Sequence, residues 1–149
     1  MKDRNQFIDY FREIQVKFSR IYTQLLAQAS VTLPQYALLS QLVSAGIIPM
    51  SEASKRLHLS KPAITNLVDR LEQKKLLRRL PHAKDRRIYL LEVQARGKKL
   101  VHRIQGRILE FILKALDQFG NHEKKIVIRF YSVLLKNIDD LLETQKRKL

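Results

Sequence analysis

A short amphipathic helix with strong start signals, over residues 60–74, constrains this chain more than any other feature. Ser60 suits the N-cap, and Pro62 suits the first turn because its missing N–H costs no hydrogen bond there. Apolar residues recur at i, i+3, i+4 and i+7, which predicts a face packed on a core: Ile64, Leu67, Val68 and Leu71. The opposite face carries polar side chains suited to base edges and phosphates: Lys61, Thr65, Asn66, Asp69 and Arg70. In isolation such a face is more often a solvated surface, so the neighbouring segments decide its interpretation.

The segments on either side of this helix complete a winged helix-turn-helix. A short helix over residues 52–57, with Ser51 as its expected N-cap, precedes it across a tight turn. Two short β-capable runs follow, over residues 76–81 and 88–93, around a strongly basic tip. We therefore predict a mainly α fold with a small β-hairpin wing. Its second helix, the recognition helix, would enter the DNA major groove.

The distribution of charge favours a polyanionic partner. The 149 residues carry a net charge of +15, and residues 53–90 contribute +8 of it from 11 basic and 3 acidic residues. Such an excess points to nucleic acid first and to an anionic membrane surface second. Three classes remain open on this evidence: a sequence-specific regulator, a sequence-tolerant architectural DNA-binding protein, and a basic peripheral membrane protein.

Long amphipathic helices flank the winged helix and predict a homodimer. Apolar residues repeat at helical spacing over residues 5–29 and through two helices within residues 95–144, where a monomer would expose them. We expect these two segments to form a helical dimerisation region and residues 32–93 to form the winged helix-turn-helix lobe, within a single domain over residues 1–149. A twofold dimer would bind a pseudo-palindromic site with half-sites about 10 bp apart.

The chain resembles the MarR family of bacterial winged-helix transcriptional regulators, and the matching residues run from the middle of the chain into the wing. They are residues 33–39, 50–52, 57–72 and 76–79, then Asp85, Arg86 and Arg87, followed by Leu91 and Gly97. The resemblance implies a transcriptional regulator, most simply a ligand-responsive repressor, that binds double-stranded DNA.

The expected DNA contacts lie on the recognition helix and the wing. They are Ser60, Lys61, Pro62, Ala63, Thr65, Asn66, Arg70, Arg79, Lys84, Asp85, Arg86 and Arg87. The resemblance places the stretch from Ser60 to Arg70 in the major groove. Within it, we expect Thr65, Asn66 and Arg70 to choose bases, whereas Ser60 and Lys61 hold phosphates.

The wing contributes a second set of expected contacts. Arg87 resembles the family's arginine that enters the minor groove, and Asp85 resembles the carboxylate that orients it. For Arg79, Lys84 and Arg86, phosphate contact and simple solvation are equal alternatives.

The resemblance also implies a small phenolic or anionic effector bound between the dimerisation helices and the winged helix. Residues 21–51 contain no charged residue and would lie near that junction, and Thr32 predicts the start of a helix within them. Tyr22, Gln35 and Tyr36 would supply polar contacts in an apolar cleft. The alternative, which we favour on sequence alone, is that these three are ordinary core and interface residues.

Several classes of chemistry find no support in the sequence. There is no cysteine, which excludes disulfides and thiol-based redox sensing. The four histidines have no ligand spacing, and no nucleophile–base pair or glycine-rich phosphate loop occurs. We therefore expect no catalytic residues, metal or cofactor. Without a signal peptide or an apolar run of about 18 residues, a cytoplasmic protein is expected.

Overall fold

The fold is mainly helical with one small antiparallel sheet. The computed structural model describes residues 2–85 and 87–146, with side chains up to residue 144. The elements in chain order are α1 (Lys2–Gln28), α2 (Leu33–Ala45), β1 (Ile48–Pro49), α3 (Met50–Arg56), α4 (Lys61–Gln73), β2 (Leu77–Pro81), β3 (Tyr89–Val93), α5 (Ala95–Leu116) and α6 (Asn121–Lys146). The predicted fold class, helices with a β wing, is confirmed.

The chain consists of two compact units, and the boundary between them lies within α5. The first unit, Met1–Gly106, contains α1 to β3 and the first half of α5, whereas the second, Arg107–Leu149, contains the rest of α5 and α6. The sequence instead grouped residues 5–29 with residues 95–144 as a dimerisation region. That grouping depends on a second chain, so it stays a prediction.

Side-chain caps start α2 and α4 at the residues that the sequence indicated. At α2, the N–H of Gln35 donates to Thr32 Oγ1 at 3.4 Å, and the N–H of Thr32 donates to Gln35 Oε1 at 3.1 Å. At α4, Ser60 Oγ accepts the N–H of Ala63 at 3.4 Å. These bonds satisfy backbone donors that have no partner within the helix.

The segment before α3 forms a third strand, whose pairing into the sheet the sequence did not predict. β1 pairs antiparallel with β3, Ile48 opposite Leu91, and the sheet order is β1-β3-β2. Pro49 is therefore extended, and α3 begins directly after it at Met50 with no side-chain cap. The expectation that Ser51 caps this helix is wrong, because the strand pairing moves the helix start ahead of it.

The core of the first unit lies between α2, α4, α5 and the sheet. Its largest fully buried side chains are Leu38, Leu39, Leu42, Ile64, Val68, Leu71, Leu77, Leu91, Val101 and Ile104. The predicted apolar stripe of α4 supplies three of these, and Leu67 is half-buried beside them. Its burial leaves the polar face of α4 at the surface.

Apolar side chains remain exposed in each unit. On α1, Phe11 and Ile14 are each 49% exposed, and on α6 Leu135 and Leu141 are 60% and 58% exposed. Exposed apolar area on this scale is typical of an interface. Within the described residues, no helix combines the length and the apolar character needed to cross a membrane.

Candidate nucleic-acid interface

The outward face of α4 presents the side chains that were expected to choose bases. Asn66 and Arg70 are exposed and make no side-chain hydrogen bond or ion pair with another described residue. Thr65 is half-buried, and its Oγ1 donates to the carbonyl of Lys61 at 2.8 Å. Its hydroxyl hydrogen is thus engaged within the helix, whereas its oxygen and methyl group remain available to a partner.

The start of α4 offers groups suited to phosphate. Ser60 Oγ accepts the N–H of Ala63, so its hydroxyl hydrogen remains free to donate. Lys61 and Pro62 are exposed beside it, and Ala63 is half-buried. The N-terminal end of a helix also favours negative charge, so this end of α4 suits a phosphate group.

Hydrogen bonds close the tip of the wing. The N–H of His82 donates to the carbonyl of Ile88, and the N–H of Ile88 donates to the carbonyl of Asp85, each at 3.1 Å. The N–H of Arg87 donates to Asp85 Oδ1 at 2.9 Å. The conformation of this loop is therefore set locally, by residues within a single turn.

The carboxylate of Asp85 acts on the main chain of Arg87 and forms no ion pair with its side chain. The expectation that Asp85 orients the side chain of this arginine stays a prediction, since the observed bond reaches only its backbone N–H. The side chains of Arg87 and Lys84 are exposed. Arg86 lies outside the described residues.

Arg79 is held between two carboxylates of the recognition helix. Its Nη2 lies 2.6 Å from Asp69 Oδ1, and its Nη1 lies 2.5 Å from Glu72 Oε2. Its backbone N–H also donates to Glu72 Oε1 at 2.8 Å. Burial alone would lower the pKa of this guanidinium, but the bond to Asp69 and the charge of Glu72 outweigh it and raise the pKa.

The alternative that Arg79 is simply solvated is therefore wrong. Its guanidinium fixes β2, and with it the wing, to α4. The role of Glu72 was not expected from the sequence, and Asp69 was grouped with the DNA-facing residues. The one available signal was their i, i+3 spacing, which places both carboxylates on the same side of the helix. The pairing also neutralises negative charge that would otherwise repel DNA.

A hydroxyl fixes the turn of the helix-turn-helix. Ser54 Oγ donates to the carbonyl of Leu59 at 2.6 Å, across the turn between α3 and α4. His58 within the turn has a left-handed backbone, with φ of 51°. The bond from Ser54 helps to set the approach of α4 and was not foreseen from the sequence.

The structure brings together two of the three expected effector contacts. Tyr22 and Tyr36 line a cavity of about 370 Å³, with ring centroids 6.4 Å apart. Burial and the neighbouring Tyr22 raise the pKa of Tyr36, which keeps its phenol protonated. Gln35 is buried but does not line the cavity, because its amide closes the cap of α2. Gln35 is thus a core residue, which is the alternative given for it in the sequence analysis.

The helix-turn-helix, the exposed face of α4 and the sheet-based wing define a winged-helix DNA-binding protein. The family model described as "MarR family" matches residues 31–89, from the connection between α1 and α2 to the start of β3. Residues 31–89 of this chain are thus similar to the MarR family, and the relatives that the chain matches are HTH-type transcriptional regulators.

Curated relatives agree with this assignment. The uncharacterized HTH-type transcriptional regulator YsmB of Bacillus subtilis is 23% identical over 125 residues, covering 84% of this chain and 81% of its own. FarR of Neisseria gonorrhoeae, an HTH-type transcriptional regulator, is 24% identical over 83% of this chain and 84% of its own. The HTH-type transcriptional repressor MdtR of B. subtilis is 33% identical over 65% of each chain.

Solved structures share the fold. A MarR family protein from Bacillus stearothermophilus superposes with a TM-score of 0.75 at 20% identity, covering 93% of this chain and 96% of its own. MepR from S. aureus, in its complex with DNA, superposes with a TM-score of 0.71 at 25% identity, covering 86% of this chain and 96% of its own.

Proposed function

We propose that this regulator binds a pseudo-palindromic double-stranded DNA operator as a homodimer and represses transcription until a small phenolic or anionic effector releases it from the DNA. The observation that carries the proposal is the unengaged amide and guanidinium on the outward face of α4, Asn66 and Arg70, in the same lobe as the basic wing. The complex of the similar MepR with DNA supports DNA as the partner.

The side chains of α4 suit direct readout in the major groove. An asparagine pairs with adenine through two hydrogen bonds, and an arginine does the same with guanine. The methyl group of Thr65 suits contact with the methyl of thymine. Ser60 and Lys61 at the start of α4 would then hold phosphates and set the register of the helix.

The decisive experiment compares sequence discrimination in two variants of α4. Asn66→Ala is expected to lower the affinity ratio between the selected operator and a shuffled duplex about tenfold, the cost of one bidentate base contact. Gln73→Ala is the matched control, since this exposed side chain lies two turns further along the same helix. Equal affinity of the unmodified protein for operator and shuffled duplex would instead support an architectural DNA-binding protein.

The wing is proposed to read an A·T-rich minor groove through Arg87, where a narrow groove concentrates negative potential. Arg87→Ala should weaken binding and relax the preference for A·T pairs beside each half-site. An unchanged flank preference in selections from random DNA would remove this role. For Lys84 and Arg86 we propose phosphate contacts, which lower affinity alike for all sequences when removed.

The homodimer is supported by the exposed apolar side chains of α1 and α6, such as Ile14 and Leu141. Two copies would bring twice the charge of +15 to the duplex, so binding should weaken steeply with salt. Light scattering coupled to size exclusion should give a mass near twice 17.5 kDa. Leu141→Asp should shift that mass toward the monomer, and a monomeric unmodified protein bound to a single half-site would overturn the proposal.

The effector is proposed to bind beside Tyr22 and Tyr36, whose cavity of about 370 Å³ suits a single aromatic ring. An aromatic acid such as salicylate should release the operator from the unmodified protein. Tyr36→Phe retains the ring and removes the hydroxyl, so it should weaken the release without changing operator affinity. Release that is unaffected by changes at both tyrosines would place the effector elsewhere.

A further inference from the structure

A strongly basic cleft lies at the C-terminal end of the recognition helix, and none of the expected DNA contacts that the structure describes lines it. It is formed by the C-terminal ends of α1 and α4 and the first half of α5, all within the first unit, and it has a volume of about 830 Å³. Five of its lining residues are cationic: Lys74, Lys75, Arg96, Lys99 and Arg103. No carboxylate among the described residues lines it.

Close backbone packing builds the cleft. A Cβ placed on Gly97 would lie only 2.2 Å from the carbonyl oxygen of Leu76, so the absence of a side chain lets α5 approach the turn after α4. Lys74 Nζ donates to the carbonyl of Ser30 and joins the ends of α1 and α4. The positions of the cationic side chains therefore follow from the packing of three helices.

The charges in the cleft have no counterion within the described part of the chain. None of the five cationic residues forms an ion pair with a described carboxylate. Glu72, two residues before Lys74, is occupied by Arg79. Like charges gathered in one cleft repel, and a bound anion would relieve that repulsion.

Two of the cationic residues of the cleft stand at backbone positions that disfavour them in the free protein. Lys75 has a left-handed backbone with φ of 56°, a conformation that favours glycine. Arg96 lies in the first turn of α5, where the helix dipole disfavours positive charge. An anion bound in the cleft would attract both side chains and so offset the two costs.

The cleft lies at the C-terminal end of α4, beyond Arg70, the last of the proposed base contacts. The 13 residues of α4 extend over about 20 Å, with Ser60 at one end and Lys74 at the other. A recognition helix contacts base edges mainly through its N-terminal residues. The duplex bound there is therefore not the expected occupant of the cleft.

The lining also narrows the class of ligand. No aromatic side chain lines the cleft, and its apolar contribution comes from short aliphatic residues such as Ala29 and Leu100. A ring system would find no stacking surface, whereas the forked guanidinium groups of Arg96 and Arg103 suit bidentate contact with phosphate or carboxylate. We propose that this cleft binds a compact polyanion carrying two or more phosphate or carboxylate groups.

Calorimetric titration of the full chain tests this proposal, with inorganic tripolyphosphate as the phosphate probe, citrate as the carboxylate probe and ionic strength held constant. Saturable binding of one anion per chain is expected for at least one probe. Lys99→Gln and Arg103→Gln should each weaken it about tenfold, as for the loss of one charge-assisted contact. Lys98→Gln is the matched control, because it removes the same charge from the neighbouring position of α5 outside the cleft and should change affinity less than about twofold.

Three results would overturn the proposal. The first is the absence of saturable binding for both probes. The second is a loss of anion affinity in Lys98→Gln or Arg87→Gln as large as in the cleft variants, which would indicate nonspecific attraction or binding at the DNA surface. The third concerns DNA binding by Lys99→Gln and Arg103→Gln. If each variant lowers the slope of log affinity against log salt by about one, the cleft contacts duplex phosphates. Each result leaves the operator-binding proposal intact.

Discussion

Replacement of Arg79 by glutamine should destabilise the winged helix and disturb its hold on DNA without removing a phosphate contact. The change keeps a polar side chain of moderate length but loses both charged contacts, to Asp69 and to Glu72. Only the backbone hydrogen bond from Arg79 to Glu72 remains. The wing would then be joined to the recognition helix more weakly.

The magnitude follows from the exposure of the partners. The side chain of Arg79 is only 20% exposed, but those of Asp69 and Glu72 are 50% and 34% exposed, so water compensates part of the loss. A sheltered hydrogen bond to a charged group contributes about 1.5 kcal/mol or more, and an exposed ion pair about 0.5 kcal/mol. Together they give an expected loss of about 2 kcal/mol, or a Tm lower by about 4–8 °C.

Urea unfolding at a fixed protein concentration measures this loss, with Arg78→Gln as the control. Arg78 is the neighbour of Arg79 on β2 and pairs with Glu92 at 2.5 Å, but these side chains are 56% and 28% exposed and form a single contact. Its replacement should cost about 0.5 kcal/mol. The two variants remove the same charge from adjacent positions, so the difference isolates the two-carboxylate site.

Measurements of DNA binding distinguish a positioning role of Arg79 from a direct contact between Arg79 and DNA. If Arg79 positions the wing, Arg79→Gln lowers operator affinity while the slope of log affinity against log salt is unchanged; a lost phosphate contact would lower that slope by about one. The reasoning fails if Arg79→Gln is as stable as Arg78→Gln. It fails equally if a double-mutant cycle with Asp69→Asn finds no coupling between the two residues.

Further predictions concern glycines, caps and a strained lysine, all measured by urea unfolding. Gly97→Ala should lower the free energy of unfolding by about 2 kcal/mol or more, because the new Cβ meets the backbone of Leu76. Gly106→Ala on the same helix meets nothing within 4 Å and should raise it by about 0.5–1 kcal/mol. Equal stabilities of the two variants would contradict this packing. Ser60→Ala should cost about 1 kcal/mol by removing the cap of α4, and no loss would argue against the cap. Lys75→Gly should raise the free energy of unfolding by about 1 kcal/mol, because glycine tolerates the left-handed backbone at this position. A lower free energy of unfolding would show that the lysine stabilises the turn.

Local signals explain why much of this fold can be predicted from the sequence. The caps at Thr32 and Ser60 act over three residues, and the apolar period of α4 acts over two turns, so both are visible in the chain itself. The wing was predicted for the same reason, as two β-capable runs around a basic tip. The candidate base contacts Asn66 and Arg70 then follow, since burial of one helix face exposes the other.

Tertiary structure alone decided which distant residues meet. The sequence by itself determined the order of the elements, the outward face of the recognition helix and the resemblance to the MarR family. It did not determine that β1 joins β3, that Arg79 is held by α4, or that the cleft collects cations from α5 and from the turn after α4. The physical reason is that caps and periodicity depend on neighbours within a few residues, whereas strand pairing, ion pairs and clefts depend on how the folded segments pack.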